Sequence, residues 1–394
     1  LVKSEEAFMK NYDVVILGGG IIGLSCAYYL TLKNKKIALI EKNQIGSGAS
    51  GSCDDMILLQ SKKPGKNLEL AVESLNLYKG LSQEFGNNID FHTRGGMILI
   101  DNKEHLAFME NYVAQQKNYG LNIELIDKKE VKKFHPYVKD KIIASTHGTE
   151  DSQVNPLYTM RMFLSKALRS GMDIYKDTCA IELNKKSGHW NIRLENDLTI
   201  ETENIINSAG AWSADIGKLI GINIPITSKK GQILVTEGLP QLGKENIWSA
   251  DYIISKLNPE LVNQSDRIKE LGIGLSFSQA GSGNYLIGST REKGNYNKGT
   301  DNEVINILVN QVTDFFPILK NIHIIRTFAG FRPACEDGKP IISEVKGNEG
   351  FYIASGHEGD GIAMAPITGK LISQMICGEK TSIDVRELSF DRFN

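Results

Sequence analysis

Tyr12-Asp-Val-Val-Ile-Leu-Gly-Gly-Gly-Ile-Ile-Gly23 runs from a short apolar stretch into glycines at GxGxxG spacing, namely Gly18, Gly20 and Gly23. An apolar, helix-compatible stretch follows to about Asn34, and Ile37-Ala-Leu-Ile-Glu41 is a second apolar run ending on an acid. Strand, glycine turn, helix, strand and terminal acid in this order predict a dinucleotide-binding βαβ unit. Gly18 permits the tight turn, Gly20 lets backbone approach a pyrophosphate, and Gly23 lets the helix pack closely on the sheet. The helix N-terminus offers unpaired N–H groups to the anion. Glu41 stands where an acid accepts hydrogen bonds from an adenosine ribose.

Residues 14–32 carry no charge and approach the length of a membrane span. Interrupting glycines, the abutting Asp13, and the lack of a basic n-region or small-residue cleavage site argue against both a span and a signal peptide. Leu1 in place of Met points to residues upstream, and 3–11 read as a polar surface lead-in. At 394 residues, two domains are the default. A net charge of −2 gives no bias toward nucleic acid or anionic lipid, and the basic pairs (Lys62-Lys63, Lys132-Lys133, Lys229-Lys230) are scattered, as on solvated faces. Cys26, Cys53, Cys179, Cys335 and Cys377 form neither a CxxC nor an even-numbered framework, which fits a reducing cytoplasm. His92, His135 and His147 show no metal-ligand spacing.

Beyond the first unit, 46–56 is a small-residue loop shaped around something, followed by an amphipathic helix at 68–85 and a hairpin-like pair around Arg94-Gly-Gly96. Further helices are predicted at 103–119 and 128–133, and Val154-Asn-Pro156 reads as the start of a helix reaching Leu168. Strands at 178–183, 190–194 and 204–208 resemble a return to the nucleotide domain. Residues 221–328 are rich in strand-like runs (232–236, 252–255, 274–278, 285–289), with a surface excursion at 257–270 and a helix at 303–315. Finally, the strand at 350–354 meets Ser355-Gly-His-Glu-Gly-Asp-Gly361, which opens a helix from Ile362 to about Ile376. Two glycine-rich strand-to-helix junctions suit one long nucleotide, FAD, with its pyrophosphate at the first helix and its flavin at the last. There the helix dipole stabilises negative charge on the reduced ring.

Four segments resemble the glycine oxidase, sarcosine oxidase and D-amino-acid oxidase group of flavoproteins: the fingerprint with Glu41-Lys42; Gly48-Ala49-Ser50; Asn207-Ser-Ala-Gly-Ala-Trp-Ser213; and Gly330-Phe-Arg-Pro-Ala-Cys-Glu-Asp-Gly-Lys-Pro340 followed by Gly356–Ile362. The resemblance implies an α/β fold in two domains. A Rossmann-like FAD-binding domain is assembled from 10–88, 152–222 and 331–394. An α+β substrate domain of glycine-oxidase type, on an antiparallel-rich sheet, comprises 89–151 and 223–330. A closer likeness, through Gly283-Asn-Tyr-Leu-Ile-Gly-Ser-Thr-Arg-Glu292 and Gln60-Ser-Lys-Lys-Pro-Gly65, is to the FAD-bearing β-subunits of proline, hydroxyproline and opine dehydrogenases and of hydrogen cyanide synthase. It implies electron transfer to a partner subunit or carrier, a hetero-oligomer, and FMN at the interface with that partner.

Carried over residue by residue, the resemblance puts Gly18, Gly20, Ile21, Ile22, Gly23, Glu41, Lys42, Gly48, Ala49 and Ser50 along the adenosine and pyrophosphate of a non-covalent FAD. Ala180 contacts adenine, and Gly210 joins them from its segment. Met56 falls in the loop that approaches the isoalloxazine, and Gly356, His357, Glu358, Gly359, Asp360, Gly361 and Ile362 lie at the flavin. Asp54 and Asp55 depart from the pattern, since small residues are usual there and an ionised carboxylate beside a flavin opposes the reduced anion. Arg332 is expected to grip a substrate carboxylate, because its planar fork makes two parallel hydrogen bonds that a lysine cannot reproduce. The alternative is an Arg packed on sheet carbonyls or on Asp337. Tyr252 either shares the carboxylate or is a core tyrosine, and His357 orients the flavin or acts as a base. Cys335 is expected as a wall residue or part of a partner surface, the family's covalent tether falling near Gly330.

These expectations describe FAD-dependent oxidation of a small amino acid or secondary amine by hydride transfer from the carbon bearing nitrogen to flavin N5. A true oxidase using dioxygen and a non-catalytic flavoprotein scaffold are the alternatives, and a scaffold has no need of Arg332.

Overall fold

The computed structural model describes residues 10–261, 265–294 and 296–393. The expected lead-in lies outside them except for Lys10 and Asn11, which already open the first strand, Lys10–Leu17. Positions 262–264 of the expected excursion also lie outside.

Val14 to Leu17 are buried on both faces, as a central parallel strand requires, and the strand pairs in parallel with Ile37–Glu41 on one side and Thr199–Asn207 on the other. The eight-stranded sheet built on them continues to Asp173–Lys176 at one edge. At the other, Thr199–Asn207 pairs with the antiparallel meander His189–Leu194 and Ala180–Lys186 through its first half, and with Phe351–Ser355 through its last residues. Both glycine junctions therefore leave the same end of one sheet, from the two parallel strands that flank Thr199–Asn207.

Helices Ile21–Thr31 and Gly361–Ile376 pack against each other beneath these junctions, both almost wholly buried. Ser25 donates to the carbonyl of Ala365 at 2.8 Å, and a side chain at Gly369 would collide with Ser25. Pro366, inside the last helix, has no N–H for the carbonyl of Ile362, and the Tyr78 hydroxyl takes that acceptor instead at 2.8 Å.

A nine-stranded, mostly antiparallel sheet forms the second layer, in the order Glu292–Lys293, Ile226–Gly238, Asn284–Gly288, Ser276–Gln279, Asn246–Ser249, Gly96–Ile100, Ala144–Gly148, Ile123–Asp127. The 12-residue strand Ile324–Cys335 pairs along Ile226–Gly238 with Lys229 opposite Arg332 and Gly231 opposite Gly330. It stays in this sheet as far as Cys335, so the expected domain limit after residue 330 cuts through a continuous strand.

Two local expectations fail. The run at 252–255 is helical, within Ala250–Leu257, because Ser249 caps the N-terminus and Asp251 sits in the first turn, outweighing the strand preference of two isoleucines. No hairpin forms around Arg94: His92–Thr93 pairs with Ser152–Gln153, whereas Gly96–Ile100 pairs with Ala144–Gly148 and Asn246–Ser249. The helix opened by Pro156 is as expected, with the Asn155 side chain accepting from Leu157 and Tyr158.

Candidate functional site

A cavity of about 630 Å³ runs between the two sheets, from Glu41, Lys42 and Ala180 to Arg332, Tyr252 and Gly359. Its first end is formed as the fingerprint predicts. Gly18 has φ +110° and its hydrogen faces the Ser208 carbonyl, and a side-chain carbon at Gly23 would sit 2.1 Å from the Gly18 carbonyl oxygen. Gly23 is therefore a packing residue and does not line the cavity, whereas Gly18, Gly20, Ile21 and Ile22 do. Glu41 accepts from the amides of Gly19 (2.7 Å) and Asn43 (2.8 Å), which fixes the carboxylate and leaves lone pairs for a further donor. Ser50 accepts from the Ile21 amide at 3.0 Å, so its own hydroxyl hydrogen remains to donate. Gly48 and Ala49 line the same wall. The Thr178 hydroxyl, also lining, is buried with no partner among the described residues.

The middle is closed from both layers. Ser208 donates to the carbonyls of Leu17 and Gly18, and Ser355 hydrogen-bonds Ser213 and the Gly210 carbonyl, so the Asn207–Ser213 segment joins the first junction to the last. Trp212 stacks on Tyr296 (centroids 5.3 Å), Phe331 meets both edge-on, and Lys298 donates to the Ser47 carbonyl at 2.8 Å. Trp212, Phe331 and Lys298 line the cavity. The covering role of Tyr296 and Lys298 had no local sequence signal, because it depends on where the second sheet delivers a loop.

At the last junction His357, Glu358, Gly359, Gly361 and Ile362 line the cavity. Gly356 does not: with φ +89° it makes the turn, and a side-chain carbon there would lie 3.0 Å from that of Cys335. Asp360 also stands back, paired at 2.7 Å with the buried ammonium of Lys62. His357 is buried and its Nε2 lies 2.9 Å from the Thr368 hydroxyl, which itself donates to the Met364 carbonyl. That network assigns the hydrogen to Nε2 and leaves Nδ1 as an acceptor without a partner among the described residues. Burial lowers the pKa of His357 from 6.5 to about 4, so the ring is neutral at physiological pH.

A depressed histidine pKa contributes stability above the unfolded value, lost as pH falls through the folded one. His357→Asn is therefore expected to narrow its stability deficit against wild type by about 2 to 3 kcal/mol between about pH 7 and about pH 4.5, measured by urea unfolding. A pH-independent difference would show that the ring titrates alike in both states.

The far end collects the candidate substrate groups. Arg332 lies flat against Gly231, where any side chain would overlap its guanidinium, and passes beside Gly359. Its Nη1 donates to the Thr290 carbonyl (2.6 Å) and its Nη2 to Ser289 (2.9 Å). Asp337 is instead taken by Arg392 at 2.8 Å. Tyr252 reaches the cavity from its helix, with the guanidinium of Arg291 4.2 Å above its ring. Arg291 Nε lies 3.8 Å from Glu358, while Nε and Nη1 have no hydrogen-bond partner among the described residues. Gly231 and Arg291 went unassigned from sequence, since their meaning lies in what packs on them.

Met56 lines the cavity beside Asp54, whereas Asp55 turns toward the second sheet and accepts from Ser278 at 2.7 Å. Burial pushes the Asp55 carboxyl up to about 6. Cys335 is neither wall nor surface: it is 6% exposed and packed among Gly356, Ile226 and Arg392, on the opposite side of its strand from Arg332. The cysteines that do line the cavity are Cys179, at the Ala180 end, and Cys53, whose thiol is bonded to the Ser50 carbonyl. Gly330 fits against Ser52, with no room for a side chain.

The residues fit an FAD: a glycine-lined approach at the helix N-terminus, an anchored ribose acid, and orphaned polar atoms at both ends, Thr178 Oγ1 and His357 Nδ1. A site with these features on a parallel sheet is that of a dinucleotide-dependent flavoprotein. The family model described as DAO, FAD dependent oxidoreductase, matches residues 13–375, and the chain belongs to that family. It is similar to the hydrogen cyanide synthase subunit HcnC of Pseudomonas aeruginosa (26% identity over 98% of this chain and 97% of that protein) and to glycine oxidase of Bacillus licheniformis (27%, 94% of each). Among solved structures, L-proline dehydrogenase from P. horikoshii superposes with a TM-score of 0.85 at 25% identity over 98% of each chain. The protein is thus an FAD-dependent oxidoreductase with the mixed α/β fold of that family. No helix among the described residues is long and apolar enough to cross a membrane.

Proposed function

We propose that this protein oxidises a small amino acid or secondary amine of proline, hydroxyproline, sarcosine, glycine or opine type, and that it does so as the β-subunit of a dehydrogenase. Bound FAD supplies the acceptor, flavin N5, for the hydride leaving the carbon that bears nitrogen. The observation that carries the reading is Arg332. Two of its five N–H donors are tied to Thr290 and Ser289, which fixes the fork at the cavity wall, and among the described residues the others have no protein acceptor. A guanidinium so held selects a carboxylate. Tyr252 closes the same end, and neutral His357 offers Nδ1 as an acceptor, a holding role that requires no charge.

The dehydrogenase reading with a partner subunit is supported by the likeness to HcnC, a subunit by name, and to L-proline dehydrogenase from P. horikoshii; an interfacial FMN and a reducing cytoplasm are part of the same proposal. The likeness to glycine oxidase favours a second reading, a single-component oxidase using dioxygen.

Acid precipitation of the yellow protein is expected to release FAD, and anaerobic mixing with a panel of D- and L-amino acids, imino acids and N-methyl amines is expected to bleach the flavin with at least one of them. Turnover with a dye but not with air would separate dehydrogenase from oxidase. If no carboxylate-bearing amine bleaches the flavin, the reading fails.

A further inference from the structure

The cavity holds a carboxylate beside the substrate end at a position where the family resemblance leads one to expect a small residue. Asp54 lines the cavity together with Arg332, Tyr252 and Gly359. The loop that carries it is pinned on both flanks. Before it, Ser52 is hydrogen-bonded to the Ala49 carbonyl and packed on Gly330, and Cys53 is bonded to Ser50. After it, Asp55 is held by Ser278 and Met56 pairs with Gln153. Ser52, Cys53 and Met56 also line the cavity but carry no charge, and Asp55 is committed to Ser278, so of this loop Asp54 alone brings a charge to the cavity. The guanidinium of Arg332 is bound to Thr290 and Ser289 rather than to Asp54, and the other carboxylate at this end, Glu358, faces Lys229 and Arg291, so Arg332 and Asp54 are presented to the cavity as a separated cation and anion.

We propose that Asp54 is the specificity-determining counter-charge for the substrate's nitrogen, so that the site takes the zwitterion, carboxylate on Arg332 and ammonium on Asp54. The inference rests on the amino-acid reading above. Burial raises the Asp54 carboxyl above the ordinary range, opposed by Arg332 and Lys62 and reinforced by Asp360, so it is a better proton acceptor than an exposed aspartate. In the bound zwitterion one ammonium N–H bond breaks, the proton forms an O–H bond on Asp54, and the electron pair stays on nitrogen. That pair is what a C=N bond is made from when hydride leaves the adjacent carbon. The protonated carboxyl is neutral, so it no longer opposes negative charge gathering in the cavity.

The test uses the FAD-loaded enzyme and two ligands that cannot be oxidised: α-aminoisobutyrate, a zwitterion without an α-hydrogen, and isobutyrate, the same carboxylate without nitrogen. Their Kd values are read from perturbation of the visible flavin spectrum. Wild type is expected to prefer the zwitterion by at least about 10-fold, as a charge-assisted contact implies. In Asp54→Asn that preference should vanish with isobutyrate affinity unchanged within about 2-fold, Asp54→Glu should restore part of it, and Arg332→Ala should weaken both ligands. Should Asp54→Asn not retain flavin, Asp54→Ser carries the same comparison. A wild-type preference surviving in the variant, or an equal loss of both ligands, overturns the role of Asp54 and leaves the amino-acid reading standing. If wild type binds neither ligand, the amino-acid reading fails and takes this inference with it.

Discussion

Arg332→Ala is expected to lower kcat/KM for the carboxylate substrate by at least about 10²-fold. Hydrogen bonds to a charged partner contribute roughly 1.5 to 3 kcal/mol each, and about 1.4 kcal/mol is one decade of rate. The loss should appear as a raised KM if the carboxylate is held equally in ground and transition states, and also in kcat if the grip aligns the reacting carbon. Arg332→Lys should recover only part. A lysine cannot reach Thr290, Ser289 and a carboxylate at once, because it replaces a planar fork with one point charge. Flavin content should be unchanged, since Arg332 is anchored by residues of the second sheet rather than by the nucleotide wall. Stopped-flow flavin reduction at wild-type rate and affinity in Arg332→Ala would remove this residue from the site.

Gly20→Val is expected to yield folded protein that retains essentially no FAD. A side-chain carbon at Gly20 would meet only the Ser50 hydroxyl, at 3.2 Å, so the protein can accommodate it by a small shift. A pyrophosphate against the same backbone cannot, because the branched side chain occupies the space of its oxygens. Gly23→Val is the contrasting case: its side chain would drive into the Gly18 carbonyl, and the helix itself should be lost from the sheet. Absorbance of the purified proteins and melting of the apo forms separate the two effects. Full flavin occupancy in Gly20→Val would mean that this turn serves packing alone.

What could be read from the chain was what short-range physics dictates. Gly18 and Gly23 fix a turn and a packing contact in the structure, and Gly20 leaves its backbone open at the cavity, which Gly18 lines and Gly23 does not. Asn155-Pro156 likewise carries its own helix start. The failures are of one kind. Tyr252 was placed on a strand because Ile253 and Ile254 favour one, yet the cap at Ser249 and burial of both isoleucines against the second sheet decide for a helix. Cys335 is expected as a wall residue or part of a partner surface, but it lies three positions after Arg332, and alternation along a strand sends the two side chains different ways. Gly231, Arg291 and Tyr296 acquire their roles only through partners far away in sequence, and Asp54 and Asp55, identical and adjacent, are separated by which sheet each one faces.

Ser25 meets its acceptor, the carbonyl of Ala365, across 340 residues. At ribosomal rates of roughly 5 to 20 residues per second, the first glycine turn therefore waits roughly 20 s to a minute for the helix that covers it. Throughout that interval Ile21–Thr31, apolar on every face, has no neighbour to bury it on that side. A chain cut before Gly361 is therefore expected to lose both the cover of its first helix and its grip on FAD, a loss that flavin absorbance of the truncated protein would register.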